Sequence, residues 1–158
     1  MKGPQRLQIV SGGQTGVDRA ALDAALEAGI PCAGWCPQGR RAEDGRLPDV
    51  YPLQETASAN YASRTEWNVR DSDATLILAA QPVKGGTALT RKFARLYDRP
   101  YLVVDPAYNS SVASVADWIR TNTINVLNVA GPRESQRKGT YRTARRFLEK
   151  LLEQLRNG

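Results

Sequence analysis

Three short segments of this chain carry residue types suited to holding an anion. The first is Ser11-Gly12-Gly13-Gln14-Thr15-Gly16, directly behind the apolar run Leu7-Gln8-Ile9-Val10. The second is Gly85-Gly86-Thr87, and the third runs from Asn128 through Gly131 to Arg133, Glu134 and Ser135. Glycines let the backbone turn sharply and approach a ligand with no Cβ in the way. A helix that starts behind such a turn offers free N–H groups and partial positive charge, which favour a phosphate. In the first segment Thr15 adds a hydroxyl and Gln14 an amide. The competing reading of the same residues is a tight strand-to-helix turn with Thr15 as its cap.

The surrounding residues narrow the chemistry. A Walker loop ends in a lysine followed by Ser or Thr, whereas Gly16 is followed by Val17 and Asp18. A dinucleotide loop spaces its glycines as G-x-G-x-x-G and places an acid at the end of the second strand. Here the spacing is Gly12-Gly13-x-x-Gly16, and the second strand runs into Trp35-Cys36-Pro37. ATP hydrolysis and nicotinamide chemistry are both disfavoured. The chain has no histidine, which removes Ser-His-Asp and Cys-His nucleophiles. Two cysteines, Cys32 and Cys36, are too few for a zinc site and read as small, buried, reduced residues. The formal charge of +6 favours anionic partners. Arg64 and Arg133 can face anionic oxygens or pair with Glu66 or Asp71. Asn68, Asn128 and Glu134 can meet a ring's donors and acceptors or make structural bonds. Trp35 and Trp67 can stack on a ring or fill the core.

The elements that must position these groups alternate along the chain. Leu7 to Val10 reads as a first strand, and Val17 to Ala28 as a helix with Val17, Ala21, Leu22, Ala25 and Leu26 inward. Gly29 caps it, and Pro31 to Trp35 is a second strand. Cys36 to Pro52 is a long polar loop of the functional or mobile kind. A helix over Ala57 to Arg70 puts Arg64 and Asn68 one turn apart on one side. Ala74 to Ala79 is a central strand, followed by a helix over Ala88 to Tyr97 with Leu89, Phe93 and Leu96 inward. Tyr101 to Val104 is a strand, Asp105 to Ser111 a turn, and Val112 to Arg120 a helix. Asn125 to Ala130 is the last strand, and Tyr141 to Leu155 an amphipathic final helix. The alternation predicts an α/β fold, a mainly parallel sheet with helices on both faces, in one domain over 1–158. Ligands of such sheets sit beyond the carboxyl ends of the strands, where the three segments emerge. No apolar run reaches the ~20 residues of a membrane span, and no signal-peptide core follows the N-terminus. A cytoplasmic protein is expected.

Ser11 to Asp18, Gly34-Trp35-Cys36-Pro37 with Gly39 to Gly45, Arg64 to Asp73, Gly85-Gly86-Thr87, and Asn128 to Ser135 together resemble the molybdenum cofactor carrier proteins and their bacterial relatives. The likeness extends from about residue 8 to residue 152. It implies a Rossmann-like, three-layer fold related to the LOG, or lysine-decarboxylase-like, proteins. It also implies binding of the molybdenum cofactor (molybdopterin), a phosphate-bearing pterin, by a homo-oligomer (dimer or tetramer) that hands it to molybdenum enzymes. Carried over by position, Gly12, Gly13, Gln14, Thr15, Gly16, Gly85, Gly86 and Thr87 would line the cofactor site. Asn128, Gly131, Arg133, Glu134 and Ser135 would be further contacts, with Arg64 and Asn68 beside them.

Two other functions compete. LOG proteins cleave a nucleoside monophosphate with a Gly-Gly-x-Gly-Thr-x-x-Glu motif. Here Gly85-Gly86-Thr87-Ala88-Leu89-Thr90 lacks one glycine and has Thr90 in the place of the glutamate. Glu66 or Glu134 can stand in for that acid, so a nucleotide-binding protein or a nucleoside-monophosphate phosphoribohydrolase-like enzyme remains the alternative. Nucleic-acid binding through the basic last helix is disfavoured, because Tyr141 alone interleaves its cations with an aromatic ring.

Overall fold

A computed structural model describes residues 6–108 and 111–157. Five strands form the main sheet: β1 (Gln8–Val10), β2 (Cys32–Ala33), β7 (Ala74–Leu78), β8 (Tyr101–Val104) and β9 (Val126–Ala130). Four two-residue strands, β3 (Trp35–Cys36), β4 (Arg41–Ala42), β5 (Gly45–Arg46) and β6 (Gln54–Glu55), lie outside it. The helices are α1 (Val17–Ala28), α2 (Tyr61–Arg70), α3 (Gly85–Leu96), α4 (Ser111–Thr121) and α5 (Thr140–Asn157). All pairings in the main sheet are parallel, in the order β2-β1-β9-β7-β8.

That order has a simple meaning. If β9 is counted first, the sheet reads 3-2-1-4-5, the order of a doubly wound nucleotide-binding sheet. The chain is a cyclic permutation of that plan, with its topologically first strand at the C-terminal end. The point where the strand order reverses therefore lies between β9 and β7. By the rule for open parallel sheets, the binding crevice belongs between the loops that leave these two strands.

Side-chain alternation sorts the two faces. Ile9, Leu76, Leu78, Leu127 and Val129 join α1, α4 and α5 in the main core, with Phe147, Leu148 and Leu151 the heaviest part of the α5 stripe. The opposite face carries Thr75 and Asn128, buried and joined by an Asn128 Nδ2 to Thr75 Oγ1 hydrogen bond of 3.3 Å. α2 and α3 pack together on this side. A polar patch in mid-sheet is costly unless its groups find partners, and the Asn128 half of this one lines a cavity.

Several boundaries differ from expectation. The second strand divides: β2 pairs with β1, while β3 pairs with β6 in a separate ribbon, the break falling at Gly34. A Cβ on Gly34 would sit 2.0 Å from the Ser11 carbonyl, so only glycine fits there. α2 begins at Tyr61, because Asn60 caps it through Oδ1 to the Ala62 N–H. Gly85-Gly86-Thr87 is the first turn of α3 instead of a loop before it. Leu96 is 69 % exposed, and Leu89 and Phe93 are half-buried; the inward positions of α3 are Thr87, Thr90 and Ala94. Leu26 on α1 is also exposed. The 36–52 segment is an ordered wrap. Arg40 is buried and donates to the carbonyls of Leu47, Pro48, Tyr51 and Leu53, while Cys36, Ala42, Leu47, Tyr51 and Leu53 form a second small core. The turn expected over Asp105 to Ser111 includes residues 109 and 110, which lie outside the described residues.

Candidate functional site

A cavity of about 190 Å³ opens at the carboxyl edge of the sheet. Asn128 to Gly131 at the end of β9 line it, with Gly12 and Gln14 behind β1, Arg64 and Asn68 on α2, Gly86 and Thr87 on α3, and Arg133 on the loop toward α5. A neighbouring hollow of about 420 Å³ lies between residues 79–84 and Pro132, Gln136 and Arg137. Thr87 and Gln136 belong to both walls. Ligand pockets usually hold roughly 300–1,000 Å³. The first cavity alone falls short of that range, and the two together fall within it.

Arg64 dominates the first cavity. Its Nη1 donates to Asp18 Oδ2 at 2.8 Å, and both side chains are largely buried, at 13 % and 8 % exposure. The Nε of Arg64 is buried and has no hydrogen-bond partner. Asp18 also accepts the Gln14 N–H at 3.2 Å. Burial pushes the Asp18 carboxyl above the usual aspartate range, and the guanidinium of Arg64 and the Gln14 amide oppose that rise. Gly12 makes this arrangement possible: a Cβ there would lie 1.9 Å from Arg64 Nη1.

Among the helix starts at this edge, those of α1, α3 and α5 differ in charge. At α1, Asp18 sits in the first turn. At α5, the Glu134 carboxylate accepts the N–H groups of Gly139 at 2.6 Å and Tyr141 at 2.9 Å. α3 has no capping side chain and no acid in its first turn; Lys84 precedes it, and the space beside Gly86 is open. The positive end of α3 is thus left uncompensated, next to Arg64 and Arg133.

Of the other expected site residues, Asn68 stands on the cavity wall and the rest stand outside it. Gly13, at φ +81°, backs onto Leu47 and Leu53 of the second core, and its N–H is bonded to Ser11 Oγ at 3.3 Å. Gly16, at φ +78°, lies against the Pro132 carbonyl, with no room for a Cβ. Thr15, Gly16 and Glu134 border a third hollow of about 410 Å³ with Tyr51 and Tyr141, whose hydroxyls each donate to Asp23 at 2.6 Å. Gly85 stands at φ +54° in the first turn of α3, beside Gln136. Asn68 reaches the wall, but its amide is spent on Trp35: Oδ1 accepts the Trp35 N–H at 2.8 Å, and Nδ2 donates to the Trp35 carbonyl at 3.0 Å. Ser135 donates to Glu43 through its N–H at 3.1 Å and its hydroxyl at 2.5 Å.

The ion pairs fall differently from the sequence expectation. Arg64 binds Asp18, and Arg133 lies 3.5 Å from Glu43. Asp71 instead accepts Trp35 Nε1–H at 2.9 Å, and its carboxyl is held below the usual range chiefly by Arg70. Trp35 and Trp67 meet edge to face, with centroids 5.0 Å apart, and neither lines the cavity. Burial pushes both cysteine thiols up, as in unreactive cysteines. Among the described residues no three His, Cys, Asp or Glu side chains gather as metal ligands, and no helix is long and apolar enough to cross a membrane. Sequence reading missed Asp18, Glu43 and Gln136 as site residues. The Asp18–Arg64 pair had a signal, a lone acid in the first turn behind a glycine loop; the place of Glu43 depends on how the 36–52 segment folds back.

Relatives share this architecture. A crystal structure of a protein from Syntrophus aciditrophicus SB, titled "putative molybdenum carrier protein", has 44 % sequence identity and a TM-score of 0.91, covering 96 % of this chain and 98 % of that one. No curated protein matches the chain. The model of the circularly permutated YpsA SLOG family matches residues 9–152. The permuted strand order and a match over nearly the whole length agree: the chain belongs to the circularly permutated YpsA SLOG family.

Proposed function

We propose that this protein binds and carries the molybdenum cofactor, a pterin ending in a phosphate, without a chemical step of its own. The observation that carries the reading is the cavity between β9 and β7, where Arg64 and Arg133 stand beside the uncompensated start of α3. An anionic group there meets two guanidinium groups and a helix N-terminus. The remainder of the cargo extends toward the larger hollow, past Thr87 and Gln136. The name borne by the Syntrophus protein, at 44 % identity, points the same way. Asp18 is engaged by Arg64 and Gln14, so among the described residues of the cavity wall no unpaired acid stands ready for glycoside cleavage. Thr90, where LOG proteins carry their glutamate, spends its hydroxyl on the Gly86 carbonyl at 3.0 Å. A homo-oligomer that covers the exposed Tyr61 and Leu96 and delivers to molybdenum enzymes completes the proposal.

The test is anaerobic calorimetry with the molybdenum cofactor, the metal-free pterin, AMP and GMP, on the wild type and on Gly86→Asp. The substitution has open space and puts a carboxylate at a helix start, where it is stabilising by about 0.3–1 kcal/mol. The fold survives and an anion is repelled. Cofactor binding that Gly86→Asp abolishes supports the carrier reading. Binding of AMP or GMP in place of the pterin replaces it with a nucleotide-binding protein.

A further inference from the structure

The hairpin β4–β5 ends in Glu43 and Asp44 and lies across two loops of the carboxyl edge. Its base is held by apolar packing: Ala42 and Leu47 belong to the second core. Its tip is held by polar contacts. The Glu43 N–H donates to Gln14 Oε1 at 2.8 Å, and Asp44 takes both terminal nitrogens of Arg19 at 3.1 Å each. The Glu43 carboxylate accepts the Ser135 N–H, the Ser135 hydroxyl and the Thr15 hydroxyl, with Arg133 Nε at 3.5 Å. The Thr15 hydroxyl is itself aligned by the Glu134 N–H, which donates to its oxygen at 3.1 Å.

Two hydroxyls, an amide and a guanidinium converging on two oxygens form a donor set suited to an oxyanion. In this structure the ligand of that set is the chain's own carboxylate. We propose that Thr15, Arg133 and Ser135 form a phosphate-accepting site and that Glu43 is its built-in competitor, so that a phosphate group enters by displacing the hairpin tip. The proposal deepens the anion-binding reading of the carboxyl edge and rests on it. Two residues link gate and cavity. Arg133 lines the cavity and pairs with Glu43, and Gln14 lines the cavity and holds the Glu43 amide. A ligand that draws Arg133 or Gln14 to itself loosens the tip. A freed tip exposes three further donors. The carboxylate costs the protein affinity for weak anions and keeps the site shut against them.

The test uses inorganic phosphate as the probe, on the full chain. Isothermal titration compares wild type, Glu43→Ala, Glu43→Gln and the double variant Glu43→Ala with Ser135→Ala. Glu43→Ala is expected to bind phosphate at least tenfold more tightly than wild type, about 1.4 kcal/mol. Glu43→Gln, which keeps an acceptor without the charge, falls between them, and the added Ser135→Ala removes most of the gain. Hydrogen exchange of wild type at saturating phosphate gives a second readout free of substitutions: the Glu43 amide should exchange faster when phosphate is bound. Equal affinity in wild type and Glu43→Ala, a gain that survives Ser135→Ala, or an unchanged Glu43 amide overturns the proposal. The two readings fail separately. A phosphate gain in Glu43→Ala without pterin binding leaves the gate standing and removes the cargo. Pterin binding lost in Gly86→Asp with no gain in Glu43→Ala does the reverse.

Discussion

Gly12→Ala isolates the contact that holds Arg64 in the cavity. Gly12 has no positive φ, so an alanine there brings no backbone strain, and its effect passes through the side chain opposite. The new Cβ would stand 1.9 Å from Nη1 and 3.0 Å from Cδ and Cζ of Arg64. Restoring a normal contact of about 3.5 Å moves the guanidinium by at least about 1.5 Å. The Arg64–Asp18 bond is 2.8 Å long, so that shift breaks it or strains it severely. Removing one partner of a buried pair costs about 3–5 kcal/mol. Arg64 is displaced here and not deleted, so the expected loss is about 2–4 kcal/mol at pH 7. For a protein of this size that corresponds to a fall in Tm of roughly 5–15 °C. An unpaired, buried Asp18 has its pKa raised further above the unfolded value. The folded variant then takes up a proton more readily than the unfolded chain, and the penalty shrinks as pH falls from 7 toward 5. The assay is urea unfolding at both pH values, with Gly12→Ala measured also in an Arg64→Ala background. With Arg64 truncated the Cβ has room, and the substitution becomes neutral or gains up to about 1 kcal/mol from the stiffer unfolded chain. An equal cost in both backgrounds refutes the reasoning.

Gly16→Ala and Gly29→Ala share a positive φ but differ in surroundings. Gly29 has nothing within 4 Å and should lose only about 1 kcal/mol, whereas Gly16, 2.4 Å from the Pro132 carbonyl, should lose about 3 kcal/mol or fail to fold in urea titrations. Arg40→Ala removes the donor to four loop carbonyls, so limited proteolysis should cut within 37–53 while far-UV circular dichroism stays near wild type. Asp44 and Asp71 have carboxyls held below their ordinary range, chiefly by Arg19 and Arg70. Their contribution is present above the unfolded value near 3.9 and is lost as pH falls through the folded value, so urea midpoints should drop below about pH 4. The drop should be shallower in an Asp44→Asn, Asp71→Asn double variant.

The periodic parts of the chain were legible as written. β8 lies where a short apolar run places it, and the inner stripe of α5 lies where helical spacing places it, because burial of a helix face selects the residues that make it. Leu96 was misread for a physical reason. Its spacing with Leu89 and Phe93 marks an apolar face but not which way the face points, and the face toward the sheet is the small one of Thr87, Thr90 and Ala94. Glycine loops are ambiguous in another way. Gly13 and Gly16 have the freedom a phosphate loop needs, yet backbone and leucines of the same chain occupy the space beside them. The order of elements along the chain also hides the order in the sheet. Gly12 to Gly16 follows the first strand made, but that strand holds the second place in the wound plan, and the crevice forms one strand over, between β9 and β7, with Gly12 and Gln14 on its wall.

The permuted order also affects biosynthesis. β9 is the middle strand of the sheet and the last of its five strands in chain order. Until it emerges, β1 can pair only with β2, and β7 only with β8, so two separate parallel ribbons wait with open inner edges. Strand 126–130 closes both at once, with distant pairings of the slow kind. A chain synthesised only as far as β8 therefore carries two unpaired strand edges, a hazard that a chaperone would relieve. The same step completes the crevice, so ligand competence should appear only once strand 126–130 has docked.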